Sequence, residues 1–410
     1  MTATVDHSER HASWLELFFD LVVVAAVAQL AHRVHDEPTA LGIAAFALLY
    51  YAVWAVWTNF SVYANVAGDR TRLRSMLQAM FGIAVMAAAI PATIPQVLHH
   101  EGDVDRSTVF AIAYVCCRIA ASGVWRKSNM IVTAWPAAQV GAGIAPWFAS
   151  FWVDDPKWKY GLWALGCFLD VLFTFLQSLS PNRVMEEAKR RTGKLQQRAA
   201  AALERGATPR TIPDAAEGRL DLTHLGERLG LFVIIVLGEG VIQVVTAAGD
   251  PLSHWDQSLA FAALAGFALL VGLWWLTLRY GVLGVPQFEA ETPVRVTLPG
   301  HFVATASITA VAAGLGAVAG HADKALPTGT LWLMCGGLAL HFAATGLLAL
   351  LSRAPAHWLL LWGLPCVLAP VAIALLGRVA PGWLVAALLA CVVGWQCSYG
   401  MVRKRRFAAA

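Results

Sequence analysis

Twelve apolar runs, each long enough to cross a bilayer, are what most narrows the fold of this chain. They fall at roughly 14–33, 41–63, 75–98, 107–126, 128–151 and 158–180. After a polar gap they resume at 228–248, 257–279, 298–320, 328–351, 357–377 and 381–402. With 58% hydrophobic and 14% charged residues, the chain is far from a soluble domain, which is about 25% charged. The expectation is an all-α polytopic integral membrane protein of about twelve transmembrane helices. No cleavable signal peptide is expected, because Met1 to Ala12 is polar and mixed in charge. The fourth and fifth runs are split at Arg126, Lys127, Ser128 and Asn129, since joining them would put two charges at the centre of a span.

The basic residues set an orientation. With both termini cytoplasmic, 23 of the 30 lysines and arginines fall on the inside, among them Arg70, Arg72, Arg74, Arg126, Lys127, the Arg183–Arg228 stretch and the Arg403–Arg406 tail. The outer loops carry Asp103, Asp105, Asp154, Asp155, Asp250 and Asp256 instead, as the positive-inside rule asks. The polar gap divides the chain into a first six-helix half (1–180), a basic cytoplasmic linker (181–227) and a second six-helix half with a basic tail (228–410). The linker reads as a surface helix, rich in Ala and charge, followed by a flexible stretch broken at Pro209 and Pro213. Six crossings per half would bring both halves in from the same side, as in parallel repeats.

Acids embedded in the apolar runs need an explanation. Glu16 and Asp20 are four residues apart in Trp14-Leu15-Glu16-Leu17-Phe18-Phe19-Asp20-Leu21, so they share one helix face. A carboxylate at such depth costs about 3 kcal/mol on insertion scales and should face protein or water rather than lipid. The second half opens with a partial echo, His224-Leu225-Gly226-Glu227-Arg228, then Leu237-Gly238-Glu239-Gly240. Laying Glu16 on Glu227 puts Asp20 on Leu231 and leaves Glu239 without an acidic counterpart. Glu239 lies about 16 Å beyond Arg228 along a helix, near the bilayer midplane, and its two glycines let a backbone or ligand come close.

Further polar residues fall within runs. Asp170 shares a face with Thr174 and Gln177, and Arg118 is the natural partner of Asp170 or Asp20 in a structural ion pair. His301 and His341 suit hydrogen bonds to neighbouring backbone, with titration in a cycle as the alternative. Asn59 and Ser61 suit helix-to-helix hydrogen bonds. His32 and His35, with Asp36, have a spacing that could seat two imidazoles on one metal, but no third or fourth ligand is defined. The seven cysteines lie in runs without a Cys-x-x-Cys pair, and Trp54, Trp57, Trp274 and Trp275 read as packing or interface residues. There is no phosphate loop, dinucleotide fingerprint or nucleophile elbow, so neither an enzyme nor a cofactor is expected.

Glu16-Leu17-Phe18-Phe19-Asp20-Leu21-Val22, the Gln29-Leu30-Ala31-His32 end of the first run and the His224…Glu227-Arg228…Leu237-Gly238-Glu239 segment resemble the bacterial low temperature requirement A (LtrA) family. The resemblance extends over nearly the whole chain, with its specific motifs in the first and seventh runs. Leu229 stands where an aromatic is expected, and Val23 where a Phe is usual. The resemblance implies a multi-pass protein of the bacterial inner membrane with a tie to growth in the cold, and it implies no substrate.

Three functional classes follow. The first is a secondary transporter with a cavity between two bundles, lined by Glu16, Asp20, Asp170 and Glu239, in which embedded carboxylates exchange protons. Its ion-coupling candidates also include Glu227, Arg228 and His301. The second is a non-catalytic accessory or lipid-binding membrane protein whose acids are structural. The third is a cation channel with a ring of acids. The expected partners are membrane lipids, protons or cations and a small solute, without nucleic acid.

Overall fold

A computed structural model describes residues 12–93, 105–128, 130–137, 141–205, 208, 212–250, 255–280 and 292–408. Its helices are α1 (Trp14–Asp36), α2 (Ala40–Ala67), α3 (Leu73–Ala89), α4 (Ser107–Ser128), α5 (Ile144–Ala149), α6 (Pro156–Ser178) and α7 (Pro181–Leu203). They continue as α8 (Leu222–Ala248), α9 (Gln257–Tyr280), α10 (Val294–Gly320), α11 (Thr328–Leu351), α12 (Ala356–Trp358), α13 (Leu364–Leu376) and α14 (Gly382–Ala408). A π turn over Leu359–Gly363 joins α12 to α13. Among the described residues, 11 helices are long and apolar enough to cross a membrane. The end of the third expected run, 94–98, lies outside the described residues.

α2 and α10 form the pillars of the bundle. From Leu49 to Ala64 every residue of α2 is buried, and α10 is buried from Thr305 almost to its end except at Ala306. α10 packs on α8, α11 and α1 through a run of small residues, Ala310 to Gly320, that lets neighbouring backbones approach. Gly316 sits where an added Cβ would meet Gln243 of α8 at 3.1 Å and His35 of α1 at 3.4 Å. α1 touches α2 and α3 of its own half and α8 and α10 of the other, so the halves interlock through it.

Cross-contacts sort the helix ends onto two faces. Asn65 near the end of α2 holds Asp221 at the start of α8, and both lie on the face that carries α7, here the linker face. Gly329 at the start of α11 abuts Pro38 after α1, on the far face. Trp358 and Tyr399 pack together, so the end of α14 returns to the linker face, where α1 also starts.

The fifth expected span, 128–151, is corrected. Its described residues form a two-residue strand (Met130–Ile131), the six-residue α5 and a 3-10 turn over Ser150–Trp152. Pro136, Gly141, Gly143 and Pro146 interrupt any helix that starts there. The segment nonetheless crosses the bundle. It leaves α4 on the linker face, where Met130 pairs with Ala216 and Ile131 with Glu217. Ala137 O then accepts from Arg118 Nη2 at 3.3 Å. Beyond it, Gly143 lies so close to Gly166 and Asp170 that a Cβ would come within 2.6 Å of the Gly166 carbonyl. Trp147 stacks on Trp163 at 4.6 Å, and Asp155 caps α6 on the far face, where Lys159 meets Ser107 at 3.0 Å. The chain therefore crosses once without a spanning helix, and α6 begins on the far face.

The linker is also less free than its composition suggests. α7 is a surface helix, as expected, but Gln196 Nε2 donates to Ile212 O at 3.1 Å and to Asp214 at 3.0 Å. Ala216–Glu217 then pairs in parallel with Met130–Ile131. Residues 206–207 and 209–211, Pro209 among them, lie outside the described residues.

Candidate functional site: a charge ladder along the second helix

Two of the embedded acids meet one arginine. Ser13 and Glu16 form a reciprocal cap at the start of α1: Ser13 N–H donates to Glu16 Oε2 at 2.8 Å, and Glu16 N–H to Ser13 Oγ at 3.3 Å. This places the carboxylate at the helix mouth, facing α8. Arg228 reaches it with Nη1 3.1 Å from Glu16 Oε1. The same guanidinium donates through Nη2 to Asp20 Oδ1 at 2.6 Å and through Nε to Asp20 Oδ2 at 3.1 Å, a two-pronged geometry that lysine could not reproduce. His224 Nε2 lies 3.5 Å from Glu16 Oε2. Glu16, Asp20, His224 and Arg228 are all about 1% exposed. With His224 neutral the four sum to one net negative charge, and with it protonated to zero.

Arg118 and Asp170 form a second pair between α4 and α6. Arg118 donates to both carboxylate oxygens, through Nη2 to Oδ1 at 2.7 Å and through Nη1 to Oδ2, and also to Tyr114 Oη at 2.9 Å. Tyr51 of α2 donates to Asp170 Oδ2 at 2.9 Å. The structural pairing expected for Asp170 and Arg118 is thus present, whereas Asp20 takes Arg228.

α2 links the two pairs. Tyr51, Trp54, Trp57, Ser61 and Asn65 are three or four residues apart, so they line one face over about 21 Å. Each makes a polar contact. Trp54 Nε1 donates to His301 Nδ1 at 3.2 Å, Trp57 Nε1 to Asp20 Oδ1 at 2.7 Å, and Ser61 Oγ accepts from Arg228 at 3.3 Å. Asn65 Nδ2 lies 3.1 Å from His224 Nδ1. His301 also meets Leu229 O through Nε2 at 3.2 Å and stacks on Trp57 at 5.7 Å. An indole N–H only donates and a carbonyl only accepts, so the neutral Nε2–H tautomer of His301 satisfies both neighbours. Two of the tryptophans read as packing residues are therefore also hydrogen-bond donors, Trp57 to the Asp20 carboxylate and Trp54 to the His301 imidazole. Their signal in the sequence is the stripe itself, since an aromatic or polar residue at every third or fourth position is more than packing needs.

Glu239 stands apart. It is 1% exposed, two turns beyond Phe232 on α8, with buried Phe232, Val233 and Val236 between it and Arg228. Gln243 Nε2 donates to its Oε1 at 2.8 Å, while Oε2 has no hydrogen-bond partner and no cation pairs with it among the described residues. Of its flanking glycines, Gly240 packs closely, since a Cβ there would lie 2.8 Å from the Leu270 side-chain tip and 3.3 Å from Ala312, and Gly238 borders open space. On the far side of Gln243 lies His35, whose Nδ1 is 2.8 Å from Ala313 O.

Among the described residues, Glu16, Asp20, Asp170 and Glu239 do not all come together. Glu16, Asp20, Arg228 and His301 cluster, Asp170 joins them only through α2, and Glu239 is separate. Glu227 is exposed. His32 is exposed while His35 is half-buried against α10, and no group of three metal-type ligands occurs among the described residues.

No solved structure matches this chain. A protein of Rhizobium meliloti (strain 1021), Uncharacterized protein RA0937, is 26% identical over 289 residues, 66% of this chain and 59% of that protein, so the chain spans about three fifths of its relative. The family of the bacterial low temperature requirement A protein (LtrA) matches residues 11–393, and those residues carry both the Glu16–Asp20–Arg228 cluster and Glu239. The chain is a multi-pass helical membrane protein that belongs to the LtrA family.

Proposed function

We propose that this protein is a secondary transporter of the bacterial cytoplasmic membrane. In this reading Glu239 takes up and releases protons, and their passage drives a small solute across the bilayer, in support of growth in the cold. One observation carries the reading: among the described residues, Glu239 is an embedded acid that no arginine holds. A carboxylate fixed by a guanidinium fork is a poor proton carrier, because protonation forfeits the ion pair. Glu239 has one neutral amide donor and one open oxygen instead. Gln243 neighbours Glu239 on the far-face side with His35 beyond it, and buried Phe232 and Val236 lie toward the linker face. The Arg228 cluster is then the joint between halves that rocks, not the carrier. The reading is non-enzymatic and needs no cofactor.

The test is flux. Protein in vesicles loaded with a pH-sensitive dye is given single solutes under an inward proton gradient. Solute-dependent acidification that Glu239→Gln abolishes supports the proposal, and its absence across solute classes removes it. A second reading, an accessory protein whose acids are structural, is favoured by the arginine pairing of Glu16, Asp20 and Asp170. It expects a fully functional Glu239→Gln protein in complementation of the cold-growth defect. Orientation is checked separately. A reporter active only outside the cytoplasm should give signal when fused near Asp155 and none when fused at Ala410, and the reverse would invert the topology.

A further inference from the structure

A cavity of about 1630 Å³ opens on the linker face between α4, α6 and α7, remote from Glu239. Its chemistry is divided. The deep part is formed by Ile119 of α4 and by Phe173 and Leu176 of α6, apolar side chains that remain exposed on spanning helices and so face acyl chains. The rim carries Arg72, Arg126, Arg183 and Arg191 against the single acid Glu187. Glu187 pairs with Arg191 at 2.9 Å. Arg72, Arg126 and Arg183 have no acidic partner among the described residues. Ile119 lies about 10 Å below Arg126 along α4, so the apolar floor begins roughly two turns beneath the positive rim.

A water-soluble anion would use the rim and leave the floor unfilled. A neutral hydrocarbon would use the floor and leave three arginines uncompensated. The space also exceeds the about 300–1,000 Å³ of an ordinary small-molecule pocket. We propose that it is a binding site for one anionic phospholipid of the linker-side leaflet. Its phosphate sits among Arg72, Arg126 and Arg183, and its chains lie along Ile119, Phe173 and Leu176. Basic pockets between helices on the cytoplasmic side suit such headgroups. α7 supplies one wall, and the Gln196 contacts and the Met130–Ala216 pairing hold that wall in place.

The experiment is native mass spectrometry of the full-length protein released from detergent with phosphatidylglycerol or phosphatidylethanolamine added. The wild type should retain one phosphatidylglycerol and little phosphatidylethanolamine. Arg126→Gln with Arg183→Gln should weaken phosphatidylglycerol retention by about thirtyfold while the melting temperature without added lipid stays unchanged. Should the double variant not fold, Arg183→Gln alone, on the exposed first turn of α7, is judged by the same criterion at about fivefold. Equal retention of the two lipids, full retention by the folded variant, or displacement by inorganic phosphate would each overturn the proposal. Displacement would mean a soluble anion occupies the rim.

Discussion

α8 takes part in two acid sites of opposite design, one near the linker face where its Arg228 meets acids of α1 and one near the midplane where it carries Glu239 itself. At the first, a single guanidinium pairs with two carboxylates, an indole N–H also donates to Asp20, and a hydroxyl accepts from the guanidinium. At the second, a lone carboxylate has one amide donor and an open oxygen. Burial is the same at both, about 1% exposure. What differs is compensation. The first site holds its carboxylates against a guanidinium, and the second carboxylate has no cation beside it among the described residues.

The comparison can be broken most forcefully at Arg228. Arg228→Leu strands Glu16 and Asp20 together, and melting in detergent should report a loss near the upper end of about 3–5 kcal/mol. A loss under about 1 kcal/mol would show that the cluster is solvated and not a structural joint. Arg118→Leu strands only Asp170 and should cost about 3 kcal/mol, with Asp170→Leu in the same chain restoring most of it. No single second substitution should rescue Arg228→Leu, because two acids remain. Rescue by Asp20→Asn alone would contradict that one-to-two stoichiometry. Trp57→Phe keeps the ring against Phe232 and removes one donor to a charged acceptor, for about 1.5–3 kcal/mol. Glu239→Gln should be the mildest, within about 1 kcal/mol of wild type, because no ion pair is lost. A large drop in its melting temperature would reveal a hidden cationic partner and erase the contrast.

The sequence made the fold largely legible, because a bilayer leaves a chain few choices. Eleven of the expected runs coincide with helices long and apolar enough to cross a membrane, most of them within a few residues at their ends, while the seventh begins six residues early. The exception, 128–151, has the hydropathy of a span, and hydropathy does not register that Pro136, Gly143 and Pro146 prevent it from closing its own hydrogen bonds. Arg228 was legible as a candidate but not as a buried group, since position at the start of an apolar run suggests the interface. Its helix begins six residues earlier, at Leu222, which draws the guanidinium inward. That Arg118 takes an acidic partner follows from charge alone, because a buried cation within a span needs an opposite charge. Partner choice between Asp20 and Asp170 does not follow, as it depends on which helices pack. Nor did composition show that α2 would carry hydrogen bonds to both clusters.

The irregular crossing between α4 and α6 has a consequence for biogenesis. A helix released into lipid is self-sufficient and can await its neighbours, but a strand-and-turn segment with open carbonyls cannot. Ala137 finds its donor in Arg118, Gly143 needs the groove at Gly166, and Ser150 meets Trp163. Those partners lie on helices that precede and follow it in synthesis. α4, the segment and α6 are therefore expected to settle together, since partners of the segment on α6 are made only after it.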